Sequence, residues 1–300
     1  MCNPYKEILN LSGTLLVLAT SPSPLHVRTH FTNNVILNWS KLRPWIQPVM
    51  FVDDIGSSIA EMAKQNGWLI RPVPRRRSNI PVFKDLILET STINPSSPLV
   101  GFANDDILFA YNIITTIAVI LESLVTIREQ FVFITGRRRN VDGELIGRID
   151  DVDCPQIVYL LGKDRSAFSQ DSADYFLFSS NTVRKYWAEM PEFVIGRAGY
   201  DNWIISSAVA RNATAIEATE TITALHQTGE DGIRSGVFLP GHKNRTDLNL
   251  NRDLIPDFDY SAGYQYCNGW MTNSVCSERR YQFKSLPKRC ITLTKRTRIK

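Results

Sequence analysis

Cysteine and histidine are scarce in this chain, and neither is spaced to build a structural metal site. The 300 residues include five cysteines and four histidines. Cys2, Cys154, Cys267, Cys276 and Cys290 form no CxxC pair and have no histidine at ligand spacing, which excludes a zinc finger or ribbon. Cys267, Cys276 and Cys290 cluster near the end, a spacing that allows one disulfide in an oxidising compartment. No apolar run has the character of a membrane span. The most apolar long window, Ile107 to Val125, contains Asn112, Thr115, Thr116 and Glu122, and reads as a partly buried helix. The opening "MCNPYKEILNLSGTLLVLAT" has no basic segment before its short apolar run, so no leader or anchor is expected. These absences predict a soluble, cytoplasmic chain. Repeats and low-complexity segments are missing too.

A strong excess of one charge is also lacking. Against 34 Lys and Arg stand 30 Asp and Glu, and residues 286–300 alone hold six basic residues and no acid. The body is therefore nearly neutral, and the basicity belongs to a C-terminal tail. That argues against a nucleic-acid-binding body. A 43% hydrophobic fraction with 21% charged residues is that of a globular protein with a substantial core.

What is present is an alternation of short apolar runs with helical patterns. "GTLLVLATS" reads as a buried parallel strand that ends in small hydroxyl residues, followed by a helix from His30 to Leu42. "IQPVMFVDD" is a second strand stopping at Asp53-Asp54, and "SSIAEMAKQNG" a helix with a serine start and a glycine stop. "WLIRPVPR", a helix over "SNIPVFKDLILETSTI", and "PLVGFAN" continue the series. This order predicts an α/β fold around a mostly parallel, doubly wound sheet. Further on, "FVFITG" and "ADYFLFSS" read as strands, "NTVRKYWAEM" as a helix, and "TAIEATETITALHQ" as one strand-like run ending at His226. A Gly-rich turn, "GRAGYDNW", precedes an apolar helix that opens near Asp201.

In such sheets ligands bind outside the carboxyl ends of the strands. Asp53-Asp54 and Asn104-Asp105-Asp106 both fall at predicted strand ends, so they are expected at one crevice. Asp and Asn also favour turns in their own right. Yet Asn104-Asp105-Asp106 interrupts two apolar runs, where carboxylates are costly to desolvate unless a cation reaches them. A divalent ion held by one or two carboxylates and substrate phosphates resolves that conflict. Of the triplets Arg75-Arg76-Arg77 and Arg137-Arg138-Arg139, the second follows a strand ending at the same edge. Guanidinium groups suit diphosphate oxygens, which makes Arg137 and Arg139 the candidates. Trp187 and Trp203 lie in apolar helices and read as core.

Across residues 12–230 this order of elements and motifs resembles glycosyltransferases of the GT-A fold, in the style of the family 2-like enzymes. The resemblance implies a three-layer α/β/α sandwich, with a nucleotide-sugar-binding and catalytic domain over 1–230. Residues 231–300 are then an irregular C-terminal extension with the basic tail. It implies transfer of a sugar from a nucleoside-diphosphate donor to an acceptor hydroxyl, metal-assisted and inverting. Asn104 and Asp106 would hold Mn2+ or Mg2+ with help from Asp105, although asparagine stands where the family's motif has a carboxylate. Asp201 matches the catalytic base, and His226 the late histidine that completes the metal site. Thr20, Ser21, Asp53 and Asp54 would contact the nucleotide. Two other readings stay open at this point. One is a nucleotidyltransferase, weakened because "ATSPSPLHVRTH" lacks the glycines of its phosphate loop. The other is a GT-A-like protein that has lost catalysis and binds a sugar or a partner.

Overall fold

The computed structural model describes residues 13–22, 29–127, 131–146, 153–229, 247, 249–274 and 291–295. The first half runs Leu16–Thr20 (β1), Thr29–Ser40 (α1), Ile46–Val52 (β2), Ser58–Gln65 (α2), Leu69–Pro72 (β3), the small hairpin Arg76–Arg77 (β4) and Ile80–Pro81 (β5), then Phe83–Ile93 (α3). Leu99–Ala103 (β6), Ile107–Phe109 (β7), Asn112–Ile127 (α4), Val132–Thr135 (β8), Arg139–Asp142 (β9), Gly143–Ile146 (α5) and Cys154–Gly162 (α6) follow. The remainder is Tyr175–Ser179 (β10), Val183–Trp187 (α7), Tyr200–Ala210 (α8), Thr214–Glu217 (β11), Ala224–Thr228 (β12), Trp270–Ser274 (β13) and Ile291–Lys295 (β14).

Among the described residues nine strands form the main sheet, in the order β14-β13-β11-β8-β10-β6-β1-β2-β3. Pairing is parallel except at β10, antiparallel to β6 and β8, and at β14, antiparallel to β13. All five residues of β1 are buried because helices cover both faces, which is why its sequence shows a continuous apolar run. Successive side chains still point to opposite faces. Leu16 and Leu18 join one core with Trp39, Ile134 and Leu177, while Val17 and Ala19 join the other with Phe83, Phe133, Phe176 and Trp187. Two cores separated by one sheet make the three-layer α/β/α architecture that the resemblance implied. β13 and β14 extend that sheet, so this part of the C-terminal extension packs on the body.

Two local expectations change. Ile107 to Val125 is not one helix: its first three residues form β7, and α4 begins at Asn112. The Asn38 side chain of α1 bonds both the amide and the carbonyl of Phe109, and Trp39 Nε1 donates to the Ile107 carbonyl. A tertiary clamp thus pins this short strand, whose isoleucine and phenylalanine suit the extended state, ahead of the helix. Likewise "TAIEATETITALHQ" is two strands in two sheets: β11 joins the main sheet, and β12 lies between β7 and β9 in a small second one. The turn between them is held by Glu217, whose carboxylate accepts from the Thr219 amide at 3.0 Å. Cys267 donates its thiol to the Ser261 carbonyl. Cys2, Cys276, Cys290 and most of the basic tail lie outside the described residues.

Candidate active site

The winding reverses between β1 and β6: β2 and β3 follow on one side of β1, and β6 and later strands on the other. At such a switch point the adjacent loops run apart and leave a crevice at the carboxyl ends. Thr20 ends β1 there, beside the end of β6. Its hydroxyl is fully buried and has no hydrogen-bond partner among the described residues. Buried polar atoms are almost always satisfied, so an open one at a switch point is an exception that needs an account.

Asn104, Asp105 and Asp106 form the turn between β6 and β7. The resumption of apolar residues at Ile107 is what brings a histidine to them. β7 pairs antiparallel with β12 in the register Ile107↔His226, and His226 Nε2 lies 3.1 Å from Asp106 Oδ2. Both residues are 1% exposed. Gln227, one residue on, donates its backbone amide to the Asp106 carbonyl and its side chain to the Phe31 carbonyl, and accepts from Asn34. Asp105 accepts from Thr32 at 3.2 Å. His226 Nδ1 is buried without a partner among the described residues.

Asp201 arrives from another element. Gly196 and Gly199 have φ of 67° and 104°, a left-handed backbone that favours glycine, and they turn the chain into α8. Asp201 sits in the first turn of that helix and accepts from the Ala173 amide at 3.4 Å. Burial raises its pKa to about 6; the Asn202 amide opposes the rise and the Asp174 carboxylate adds to it. The strand β10 starts next to Ala173, and its antiparallel direction puts its beginning at the edge where its neighbours end. Asp174, just before that strand, accepts Asn104's side-chain amide on Oδ1 and Asn104's backbone amide on its carbonyl, each at 3.0 Å. Arg138 Nη1 lies 2.5 Å from both carboxylate oxygens of Asp174. Burial works against the Arg138 charge; Asp174 outweighs it, with further help from Asp106 and Asp201, so the pKa stands above its ordinary value. Asp106, Asp174 and Asp201 all also act on the buried Tyr200 phenol, whose pKa is raised first by burial. Asp106 in the β6–β7 turn, Asp174 ahead of β10 and Asp201 in α8 thus all favour the Arg138 charge, and Asp174 alone of the three is paired with it among the described residues.

The other sequence candidates are placed differently. Ser21 donates to the Phe51 carbonyl. Asp53 is exposed and paired with Arg76 from the small hairpin. Asp54 accepts from the Gly56 amide in a tight turn. Arg137 donates to the Phe168 carbonyl, and Arg139 to the carbonyls of Arg165, Ile222 and Thr219. They brace loops, and the buried member of the triplet is Arg138. Trp187 is core, as expected, and Trp203 packs edge-on against Phe193. Asp174 and Arg138 were missed. Asp174 carried the same signal as Asn104-Asp105-Asp106, polar residues abutting a buried run, but only β10's direction places it at this edge. For Arg138 the sequence held no signal beyond the triplet.

Among the described residues no group of three or more His, Cys, Asp or Glu side chains is gathered to hold a metal ion. The Asp106–His226 pair fits a smaller role. A carboxylate oxygen and an imidazole nitrogen, here 3.1 Å apart at hydrogen-bond distance, are both ligand types that a divalent ion such as Mn2+ accepts. An ion held mainly by substrate phosphates needs no more than two protein ligands.

No family model matches the chain, and no curated protein matches it by sequence. Among solved structures the chain is similar to residues 1–349 of TarS from S. aureus in complex with UDP-GlcNAc, at 11% identity, covering 82% of this chain and 68% of that one, with a TM-score of 0.47. It is similar to the mannosyltransferase PcManGT from Pyrobaculum calidifontis, in complex with GDP-Man and Mn2+, at 10% identity over 74% of this chain and 59% of that one, TM-score 0.45. A third is glucosyl-3-phosphoglycerate synthase from Mycobacterium tuberculosis, in complex with Mn2+, UDP and glucosyl-3-phosphoglycerate, at 13% identity over 72% and 73%, TM-score 0.40.

Proposed function

We propose that this chain is a glycosyltransferase that moves a sugar from a nucleoside-diphosphate donor to an acceptor hydroxyl, with inversion. The observation that supports the reading is a chain of contacts at the end of the sheet: Asp106 beside His226, Asn104 of the same turn bonded to Asp174, and the adjoining Ala173 amide on Asp201. Asp201 is the base. A carboxyl whose pKa is about 6 is ionised at neutral pH yet basic enough to take a hydroxyl proton as the new bond forms. Its place in the first turn of α8 favours the ionised form. Asp106 and His226 would hold a divalent ion, with Asn104 and Asp105 beside them. When bound, Mn2+ or Mg2+ supplies Lewis-acid stabilisation of the charge on the departing diphosphate. Thr20, with its open hydroxyl at the end of β1, is the first candidate for the nucleotide, ahead of Ser21, Asp53 and Asp54. Arg137 and Arg139 would reach a diphosphate only by giving up carbonyl contacts.

The test is hydrolysis of a panel of UDP- and GDP-sugars with Mn2+, followed by release of the nucleotide. Turnover is expected in the wild type. In Asp106→Ala and Asp201→Asn it should fall by roughly 100-fold or more. A broad panel giving neither turnover nor binding would sink the enzyme reading. Turnover absent together with no Mn2+-linked UDP binding by calorimetry would favour the non-catalytic alternative.

A further inference from the structure

The asparagine at position 104 is the place where the acidic motif lacks a carboxylate, and its surroundings account for that. Its side-chain and backbone amides both donate to Asp174. A carboxylate accepts only, so an aspartate at 104 would set two negative charges about 3 Å apart in a buried place. The charge is instead carried by Asp174, the residue ahead of β10, which is 5% exposed. Arg138, 6% exposed, neutralises it. That guanidinium is itself fixed: Nε donates to Asn140 Oδ1 at 3.0 Å, and the group stacks 4.4 Å from the Phe168 ring centre. Asn140 pairs with His226 across the β9–β12 ladder. On the other side of Asp174, the Ala173 amide holds the Asp201 carboxylate. One ion pair thus touches, directly or through the adjoining residue, the turn bearing Asp106, the strand bearing His226 and the helix bearing Asp201.

We infer that Asp174 and Arg138 are positioning residues of this site. They supply from β10 and the β8–β9 loop the charge pattern that Asn104 leaves out, and they set Asp201 relative to Asp106. The inference rests on the proposed glycosyl transfer, since positioning matters to the reaction those two acids perform. Breaking the pair leaves both acids present but lets them drift, and sub-ångström drift at a reacting centre is costly. Arg138→Lys keeps the charge and loses the planar fork. Asp174→Glu keeps the carboxylate that faces Arg138, one methylene longer.

The experiment is donor turnover by wild type, Asp174→Asn, Arg138→Lys and Asp174→Glu, with folding checked by circular dichroism. In Asp174→Asn and Arg138→Lys kcat should fall roughly 10–100-fold while the donor KM moves less than about threefold. Asp174→Glu should turn over at least about threefold faster than Asp174→Asn, since the carboxylate that Arg138 meets is kept. Backbone support alone would lower the folded fraction and leave kcat per folded molecule unchanged, which overturns the inference. So would Asp174→Glu no faster than Asp174→Asn. Should Asp174→Asn fail to fold, Arg138→Lys and Asp174→Glu still decide. Wild-type turnover is measured first: its absence defeats the functional reading, whereas its presence with fully active variants defeats only the positioning role.

Discussion

Asp201 is a residue whose function and stability pull in opposite directions. Its folded pKa, about 6, lies above the ordinary aspartate value of 3.8, so the native state favours the protonated form. The stability it contributes is complete below pH ~4 and is lost as pH rises through about 6, because ionisation inside the fold then opposes burial. Activity should run the other way, rising with pH along a limb centred near 6. Asp201→Asn is therefore expected to abolish turnover while raising Tm at pH 8 relative to wild type, by an amount worth at most about 3 kcal/mol. At pH 4 the two melting curves should coincide. An asparagine variant less stable than wild type at pH 8 would contradict the assigned ionisation. The neighbouring Asp106 and His226 show how a motif that reads as a turn in isolation acquires a partner 120 positions later through strand register alone.

Elements hold the site through polar atoms they bury. α1 carries Thr32, Asn34 and Asn38 on its buried face, each committed to the Asp105–Phe109 segment or to Gln227 beside it. Asn38→Ala removes both bonds to Phe109 and leaves two buried backbone groups unpaired. Roughly 2–4 kcal/mol of stability should be lost, measured by denaturant unfolding. A neutral result would mean that β7 is held by packing alone. The C-terminal extension acts on α8 in a comparable way. Asn251 bonds the backbone of Val194 and Arg197 ahead of the helix, and Gly263 lies so close that a Cβ there would sit 1.9 Å from the Asn202 carbonyl oxygen. Gln265, fully buried, donates to the Ser172 carbonyl, next to the residue whose amide meets Asp201.

At the scale of the whole molecule, the sheet decides where chemistry can occur. Reversal of winding at β1 and β6 leaves their carboxyl ends open, and the single antiparallel strand within the parallel set brings Asp174 to that same edge. Ligands that bind only the native state raise its melting temperature. UDP with Mn2+ at about 100 times the dissociation constant should raise Tm by about 5 °C, and UDP with a chelator should give a much smaller shift. Equal shifts with and without the ion would remove Asp106 and His226 from any metal role. Among the described residues no helix is long and apolar enough to cross a membrane.

The alternation of buried strands with capped helices was legible residue by residue, because burial on two faces and helix periodicity are written in local composition. So was the interruption of apolar sequence at Asn104-Asp105-Asp106, and the glycine turn that leads into Asp201. Segment 107–109 was misread because a continuous apolar run does not show where strand ends and helix begins; Asn38 and Trp39, distant residues, fix that boundary by hydrogen bonds. Asp174 and Arg138 were invisible for a related reason: direction and register of a strand are properties of its neighbours. Sequence alone determined which stretches are buried and where charge interrupts them. Only the tertiary structure decided which of those charges share a site, because pairing across a sheet is non-local and its energy depends on partners that the local pattern does not name.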